Sequence, residues 1–586
     1  SSLEFLAPGE DQRLAETMAR LKQEGFGAVA AAEGFSVDDP AGELKVMRVA
    51  REHSLPACGT HEMSGLYGLR VRTRTAVLNA SILPRMIETA EMTGRSLRDQ
   101  GVQAPLMVMR SDGGVMSLEE VRRRPVMTLL SGPAAGIAAA LIFLRASDAL
   151  FLEVGGTSTD VCLIKDGRAA QRSATVGGHP TYLKTLDSRT LGIAGGSMVG
   201  RGHVGPRSAH LAGFRYASFC EDLPGALTVL EVSPLPGDPE YLVVQAENGE
   251  RAAVTTTCAA NFLGYVRPGD YGYGNPETVR RAMEALAAHL AQPAEAVARQ
   301  ILERAAEKVL PTLRQLIDDY RMKDRALKII GGGGGAGALV PFVAEKMGLP
   351  FEIAQRAEVI SAVGAALAMV RETLEKNVLN PTEADLAALR AEVEKAVVRM
   401  GADPTTVQVT VEVDAQRNLV RATATGSVEF AAQDLLQQEV TEEERLAALR
   451  AASPREESYQ SLGRTDYYFV YRSTRVEKAL FNLIKRTRST IWLTDGKGNV
   501  KLQVPGGQVQ QGAAEGFDAA LEAVLQRHTS YGDAGAQIPP LSVVAGRKLV
   551  DLTALQTSEQ VKTLARQELN GIAGQEPVFF VIHPRA

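Results

Sequence analysis

The stretch Leu152-Glu153-Val154-Gly155-Gly156-Thr157-Ser158-Thr159-Asp160-Val161 decides the fold. An apolar run, Ala149 to Val154, leads into two glycines, and a second run, Asp160 to Lys165, leaves them and turns back through Asp166-Gly167. That is the pattern of a β-hairpin. Glycine at its turn lets backbone N–H groups approach a phosphate with no side chain in the way, and Thr157, Ser158 and Thr159 add hydroxyl donors. Asp160 is placed to hold a magnesium ion directly or through water. Paired glycines alone are common in plain β-proteins; the Thr-Ser-Thr-Asp continuation between two strands turns the reading toward phosphate binding.

Further along, Ile329-Ile330-Gly331-Gly332-Gly333-Gly334-Gly335-Ala336-Gly337-Ala338 follows a buried strand expected over 326–330 and precedes a helix expected over 339–347. Bare backbone at such a strand-to-helix turn accepts a flat base or ribose, and the helix start faces an anion. Upstream, helices expected at 10–24, 41–52 and 77–100 alternate with strands at 27–32, 55–58 and 105–109, which predicts βαβ units around a parallel sheet. The last of these strands runs into Ser111-Asp112-Gly113-Gly114. Residues 205–272 read as a loop-rich insertion marked by Pro234, Pro236, Gly237 and Pro239. Asn275-Pro276-Glu277 opens a helical stretch to about Met322, with asparagine as cap and proline in the first turn. Helices lead on to about Met400, then strands alternate at 407–413 and 419–426, with more from Tyr459 and a turn at Asp495-Gly496-Lys497-Gly498.

A length of 586 residues corresponds to about four domains at roughly 150 residues each. With 45% apolar and 23% charged residues and a mean hydropathy of −0.06, the composition is that of an ordinary globular protein. The net charge of −5 supplies no basic field for nucleic acid or an anionic membrane, and no apolar run is long enough to span a bilayer. Four cysteines, Cys58, Cys162, Cys220 and Cys258, have no paired spacing, which points to a reducing, cytoplasmic compartment. The donors His179, Asp187, His203, His210 and Cys220 lie close in sequence but match no zinc spacing. Arg122-Arg123-Arg124 reads as a solvated helix end.

The two glycine elements, in that order, resemble the actin, sugar kinase and Hsp70 ATPase superfamily. Val77-Leu78-Asn79-Ala80 with Pro84, Met109-Arg110-Ser111-Asp112-Gly113-Gly114-Val115-Met116-Ser117, Leu130-Ser131-Gly132-Pro133-Ala134-Ala135-Gly136, the hairpin itself, Leu186-Asp187 with Thr190-Leu191-Gly192, Gly195-Gly196-Ser197, and Val204-Gly205-Pro206 with Ser208-Ala209 narrow it. Together, over residues 1–370, they resemble the A-type members of the hydantoinase/oxoprolinase family. Residues 404–428 resemble a C-terminal module of its ketone carboxylase-like members.

The resemblance implies an α/β fold with actin-like ATPase (ribonuclease H-like) lobes, mixed sheets and flanking helices, and a C-terminal α+β region. It divides the chain into 1–148 (later part of the first lobe), 149–370 (second lobe), 371–430 (a helix plus antiparallel strands) and 431–586 (no assigned role). It implies ATP-driven activation of a small carbonyl substrate, with Mg²⁺ or Mn²⁺ as the metal and, for a partner, the B-type large subunit. The product is a carboxylated ketone or a hydrolysed cyclic amide such as a hydantoin or 5-oxoproline; the rival class is a non-catalytic, nucleotide-responsive scaffold. Asp160 and Asp187 are the expected catalytic groups, and Asp160 with His179 the expected metal ligands. Glu153, Gly155, Gly156, Thr157, Ser158, Thr159, Gly332, Gly333, Gly334 and Gly335 are expected at the nucleotide, and Ser111, Asp112, Gly113, Gly196 and Ser197 at the substrate.

Departures from the family pattern are local. Glu153 stands where an aspartate is usual, Thr257-Cys258-Ala259-Ala260 where Thr-Asp-Ala-Asn is usual, and His210-Leu211-Ala212-Gly213-Phe214 where the family has a Pro-Gly-Pro segment. An additional DxGGTFTD hairpin is usual upstream, so Ser1 is expected to lie inside the later part of the first lobe.

Overall fold

The computed structural model describes residues 2–7, 9–102, 104–142, 148–323, 325, 327–414, 417–428, 440–453, 458–479, 484–496, 498, 500–532, 535–546, 548–553, 555, 557–569, 572 and 574–585. Lys497, in the turn expected at 495–498, lies outside them.

The hairpin forms as read: strands Ala149–Val154 and Thr159–Lys165 pair antiparallel, with Glu153 directly opposite Asp160. It is the middle of a mixed sheet. Arg189–Leu191 adds antiparallel on one side, and Lys328–Gly332 then Phe351–Ile353 add parallel on the other. Strand Ala149–Val154 is apolar without alternation because both sheet faces are covered. Leu150, Leu152 and Val154 join the core built with helices Thr256–Phe262, Pro276–Leu290, Ala294–Asp319 and Ala336–Met347, whereas Ala149 and Phe151 face helices Ser131–Ile142 and Ile360–Leu367.

Asn275 caps its helix as expected, its side chain accepting from Glu277 and Thr278 N–H. The helical stretch is nevertheless two helices, because Ala291 takes a left-handed conformation (φ 52°) ahead of Pro293. Residues 205–272, expected to be loop-rich, hold a four-stranded sheet in the order Arg215–Tyr216, Arg251–Ala253, Tyr241–Gln245, Thr228–Val232. Its prolines sit in the connection between the last two.

The helical run expected up to Met400 is broken by strand Val370–Asn377. This strand is the centre of a five-stranded sheet, pairing antiparallel with Leu419–Gly426 and meeting Val115 in parallel, so the strands at 408–426 share a sheet with Met107–Met109 and Val115–Ser117. Buried charge hides the strand in the sequence. Glu372, on its core side, accepts from Arg110 (3.0 Å) and Arg124 (2.6 Å), and Arg110 also pairs with Asp112 (2.8 Å). Arg124, expected in a solvated run, is thus half of an internal clamp, and also pairs with Glu120.

Glycine is required where the chain passes close to itself. At Gly335 a β-carbon would stand 2.6 Å from the Gly155 carbonyl oxygen, and Gly333 (φ +81°) would put one 2.3 Å from that of Val154. The three atoms nearest a β-carbon at Gly334 all belong to the ring of Tyr271, an exposed side chain. Gly335→Ala is therefore expected to lower stability by about 1–3 kcal/mol and Gly334→Ala by less, measured by denaturant unfolding; equal effects would contradict the backbone contact.

Glu372 gives a second prediction. Burial alone would raise its pKa, but the guanidiniums of Arg124 and Arg110 hold it at about 2, below its ordinary 4.5. A depressed folded-state pKa contributes stability that is present above 4.5 and is lost as the pH falls toward 2. Glu372→Gln is expected to cost about 3 kcal/mol at neutral pH and to flatten the dependence of unfolding free energy on pH over that acid window. An unchanged profile would contradict the clamp.

Candidate functional site

Two loops close on the hairpin turn through three backbone hydrogen bonds. Gly335 N–H donates to the Val154 carbonyl (2.8 Å), Gly195 N–H to that of Gly155 (3.1 Å) and Gly196 N–H to that of Gly156 (3.1 Å). The turn is tied internally by Gly155 N–H to the Ser158 carbonyl (3.0 Å). The N–H groups of Gly156, Thr157 and Ser158 have no partner among the described residues, so three donors stay unused on one short turn. The Thr157 hydroxyl lies 3.0 Å from that of Ser208. Thr159, expected as a donor, is buried and gives its hydroxyl to the Ile193 carbonyl (2.6 Å).

Glu153 and Asp160, cross-strand partners, project from the same sheet face with β-carbons about 5 Å apart. Glu153 Oε1 accepts from Ser361, while its Oε2 is buried with no hydrogen-bond partner. Its side chain lies over Gly136, where a β-carbon would stand 2.1 Å from Oε2. Burial first, and the charge of Asp160, push its pKa up against the Ser361 hydrogen bond. Asp160 accepts from the Thr190 hydroxyl and is partly exposed. An orphaned buried carboxylate oxygen beside a second carboxylate is an oxygen donor set of the kind Mg²⁺ or Mn²⁺ takes, which usually keeps its remaining positions for water and phosphate. The residues fit such an ion.

The other expected site residues are engaged elsewhere. Asp187 is buried among Arg172 (3.2 Å), Arg189 (3.3 Å) and the Tyr320 hydroxyl (3.0 Å). Continuing the register of its strand, it lies about three residues, roughly 10 Å, farther from the turn than Asp160. His179 is exposed at the start of strand His179–Leu186, roughly 25 Å along the chain from Asp187. Among the described residues no three His, Cys, Asp or Glu side chains converge as a metal cluster, so His179, His203, His210 and Cys220 do not come together.

The Ser111-Asp112-Gly113 segment is a structural knot where contact with substrate was expected. Asp112 is held by Arg110 and by Gly114 N–H (3.2 Å), Ser111 donates to the Lys184 carbonyl (3.1 Å), and Gly113 supplies a positive φ of 88°. Ser197, also buried, accepts from Ala194 N–H (2.9 Å), and Gly196 braces the turn. Gly332 is packed against Phe151 and Ile360 in the core. Cys258, in place of the family's usual aspartate, is buried in helix Thr256–Phe262 with its sulfur toward Thr255 and Ala253.

Sequence reasoning missed the aromatic wall of the site. Asn261 fixes the loop at 266–274 by donating to the Gly272 carbonyl (2.9 Å) and accepting from Gly274 N–H (2.9 Å). That loop lays Tyr271, 70% exposed, over Gly334. Tyr216 brings its hydroxyl to Gly156 of the hairpin and to Gly196 of the facing loop, with its ring stacked on Phe219 at 5.2 Å. The alternation Gly269-Asp270-Tyr271-Gly272-Tyr273-Gly274 was the available signal for the first; nothing local marked Tyr216.

Comparison with known proteins agrees with this architecture. The chain is 28% identical over 338 residues to the caprolactamase alpha subunit of Pseudomonas jessenii, covering 55% of this chain and 44% of that protein. It is 25% identical over 362 residues to the acetophenone carboxylase gamma subunit of Aromatoleum aromaticum, covering 57% and 45%. It thus spans about half the length of these curated relatives. The crystal structure of the ATP-dependent caprolactamase from Pseudomonas jessenii superposes with a TM-score of 0.55 at 18% identity, covering 88% of this chain and 76% of that one. The fold is α/β with actin-like ATPase lobes. The hydantoinase/oxoprolinase profile matches residues 72–374, just over half the chain and including the whole hairpin site, so the protein belongs to the hydantoinase/oxoprolinase family.

Proposed function

We propose that the chain binds ATP with Mg²⁺ or Mn²⁺ between the 155–158 turn and the Gly333–Gly335 turn. It uses the nucleotide to activate a small carbonyl compound, as the A-type component of an ATP-dependent ketone carboxylase or cyclic-amide hydrolase. The observation that carries this reading is the Glu153–Asp160 pair, one oxygen of it buried and unpartnered, beside a turn with three unused N–H donors. The likeness to an acetophenone carboxylase subunit supports a ketone as substrate, and that to a caprolactamase subunit supports a cyclic amide.

The chemistry explains why ATP is needed. An amide is a poor electrophile, and phosphorylating its oxygen converts that oxygen into a leaving group for water to displace; a ketone is carboxylated at its α-carbon through the enol, and there ATP activates either the enol or bicarbonate by phosphorylation, phosphate leaving as the new carbon–carbon bond forms. A bound divalent ion would neutralise phosphate charge and polarise the transferred group. The chain's own residues do the rest: Glu153 and Asp160 hold the ion, the N–H groups of residues 156–158 and the hydroxyls of Thr157 and Ser158 hold phosphate oxygens, and the glycine turns keep side chains out of their way. A B-type large subunit is the proposed partner, since both relatives carry subunit names. The proposed compartment is the cytoplasm, in keeping with four buried free thiols. Among the described residues no helix is long and apolar enough to cross a membrane. A nucleotide-responsive scaffold without turnover is the second reading, favoured by the internal ion pairs of Asp112 and Asp187.

Phosphate release, with a candidate partner present and absent, separates the readings when a ketone plus bicarbonate, a lactam, a hydantoin and 5-oxoproline are each supplied. Turnover of one class with the partner is expected; tight ATP binding with no release in any condition would favour the scaffold. Asp160→Ala is expected to weaken Mg²⁺-dependent ATP binding by about tenfold or more while changing metal-free binding little, and equal ATP affinity with and without metal would overturn the role given to Asp160. Because the Glu153 pKa is raised, metal affinity should fall as the pH drops through it, and Glu153→Gln should remove that dependence in a calorimetric titration.

A further inference from the structure

Tyr216 closes the short strand Arg215–Tyr216, which pairs in parallel with Arg251–Ala253 and sets Tyr216 opposite Ala253. Its ring is fixed from behind by Phe219, stacked at 5.2 Å with planes 20° apart. From that position the hydroxyl reaches the two glycines that face each other across the turn. A β-carbon on Gly156 would stand 3.0 Å from it, and one on Gly196 would overlap it at 1.8 Å. Glycine at both positions keeps a space that this hydroxyl enters, and within that space it has no hydrogen-bond partner among the described residues.

A tyrosine hydroxyl so placed, in a partly buried residue, is free to take a ligand oxygen as its acceptor. The neighbours on the turn are unused donors too: the N–H groups of Gly156, Thr157 and Ser158. Donors converging without an acceptor describe an anion site. From this we infer that Tyr216 is a ligand-contacting residue of the site, its phenol donating a hydrogen bond to a phosphate oxygen held on the 155–158 turn. The inference rests on the nucleotide reading given above and adds to it a side chain from outside both glycine motifs. Burial raises the Tyr216 pKa above its ordinary 10, so at neutral pH the phenol is protonated and donates.

The test is calorimetric titration of the full chain with ATP, pyrophosphate and adenosine in the presence of Mg²⁺. Tyr216→Phe keeps the ring stack and removes only the hydroxyl. It is expected to weaken ATP and pyrophosphate by a similar factor, about 10- to 100-fold, with adenosine binding and the unfolding midpoint unchanged. Incorporating 3-fluorotyrosine at position 216 preserves shape and makes the hydroxyl a stronger donor, so it should bind pyrophosphate at least as tightly as the natural residue. Unchanged pyrophosphate affinity in Tyr216→Phe overturns the role of Tyr216 and leaves the nucleotide reading standing. A loss of the same size with 3-fluorotyrosine also overturns it, since a packing defect would then be the cause. Absence of ATP and pyrophosphate binding by the natural chain overturns both.

Discussion

The contact on which the site depends is backbone against backbone. Val154, Gly155 and Gly156 offer their carbonyls to the N–H groups of Gly335, Gly195 and Gly196, so loops distant in sequence are fastened to one hairpin turn without a side chain between them. Such contacts tolerate no β-carbon, as the clearances at Gly333, Gly335 and Gly196 show. Glycine disfavours regular structure by roughly 1 kcal/mol each, and a run of them here permits the close backbone contacts that fasten this loop to the turn. Fold and candidate function meet in that one constraint: the carbonyls of the turn hold the architecture, and the amides of residues 156–158 have no partner among the described residues.

The electrostatics follow from the same arrangement. The donors on the turn are all neutral: amides, the Thr157 and Ser158 hydroxyls, and the Tyr216 phenol. The charged groups beside them, Glu153 and Asp160, are negative. A polyphosphate would be repelled by this pair unless it arrived with a cation, and a cation alone would lack ligands beyond the two carboxylates. Each therefore favours the other's binding, which is the coupling expected of a metal–nucleotide site. Arg110, Arg124 and Arg189 are engaged by Asp112, Glu372 and Asp187 in the interior.

What was legible in the sequence was the local grammar. The hairpin at 149–165, the cap at Asn275, the glycine turn before helix Ala336–Met347 and the paired strands at 408–426 all follow from short-range patterns, and the structure has them. Strand Val370–Asn377 was not legible, because its core-facing Glu372 reads as a surface residue until the arginines 262 and 248 positions away are brought to it. The same holds for the site. The glycines and carboxylates announce themselves by type, whereas Asp187 reads as catalytic and Asp112 as substrate-binding from their motifs and both are ion-paired in the structure, and Tyr216 is a lone tyrosine made relevant only by which glycines it faces. Sequence pattern encodes what a residue does to its neighbours in the chain; partner choice at long range is set by the fold.

The glutamate at position 153 shows how such choices are coupled. Its carboxylate extends over helix Ser131–Ile142 at Gly136, where no β-carbon would fit, and meets Ser361 on helix Ile360–Leu367. These two helices themselves cross in close contact, since a β-carbon at Gly364 would fall 1.7 Å from the Ala135 carbonyl oxygen. An aspartate, one methylene shorter, would leave the space above Gly136 empty and Ser361 without its acceptor, while a side chain at 136 would drive the glutamate away from Asp160. Glu153, Gly136 and Ser361 therefore form one unit: a longer carboxylate, a notch to receive it and a hydroxyl to orient one oxygen, while the other is left buried and unpartnered over Gly136 on a residue whose cross-strand partner is Asp160. The departure from the family's usual aspartate is thus accommodated by the helices behind the hairpin, and the two-carboxylate arrangement is kept.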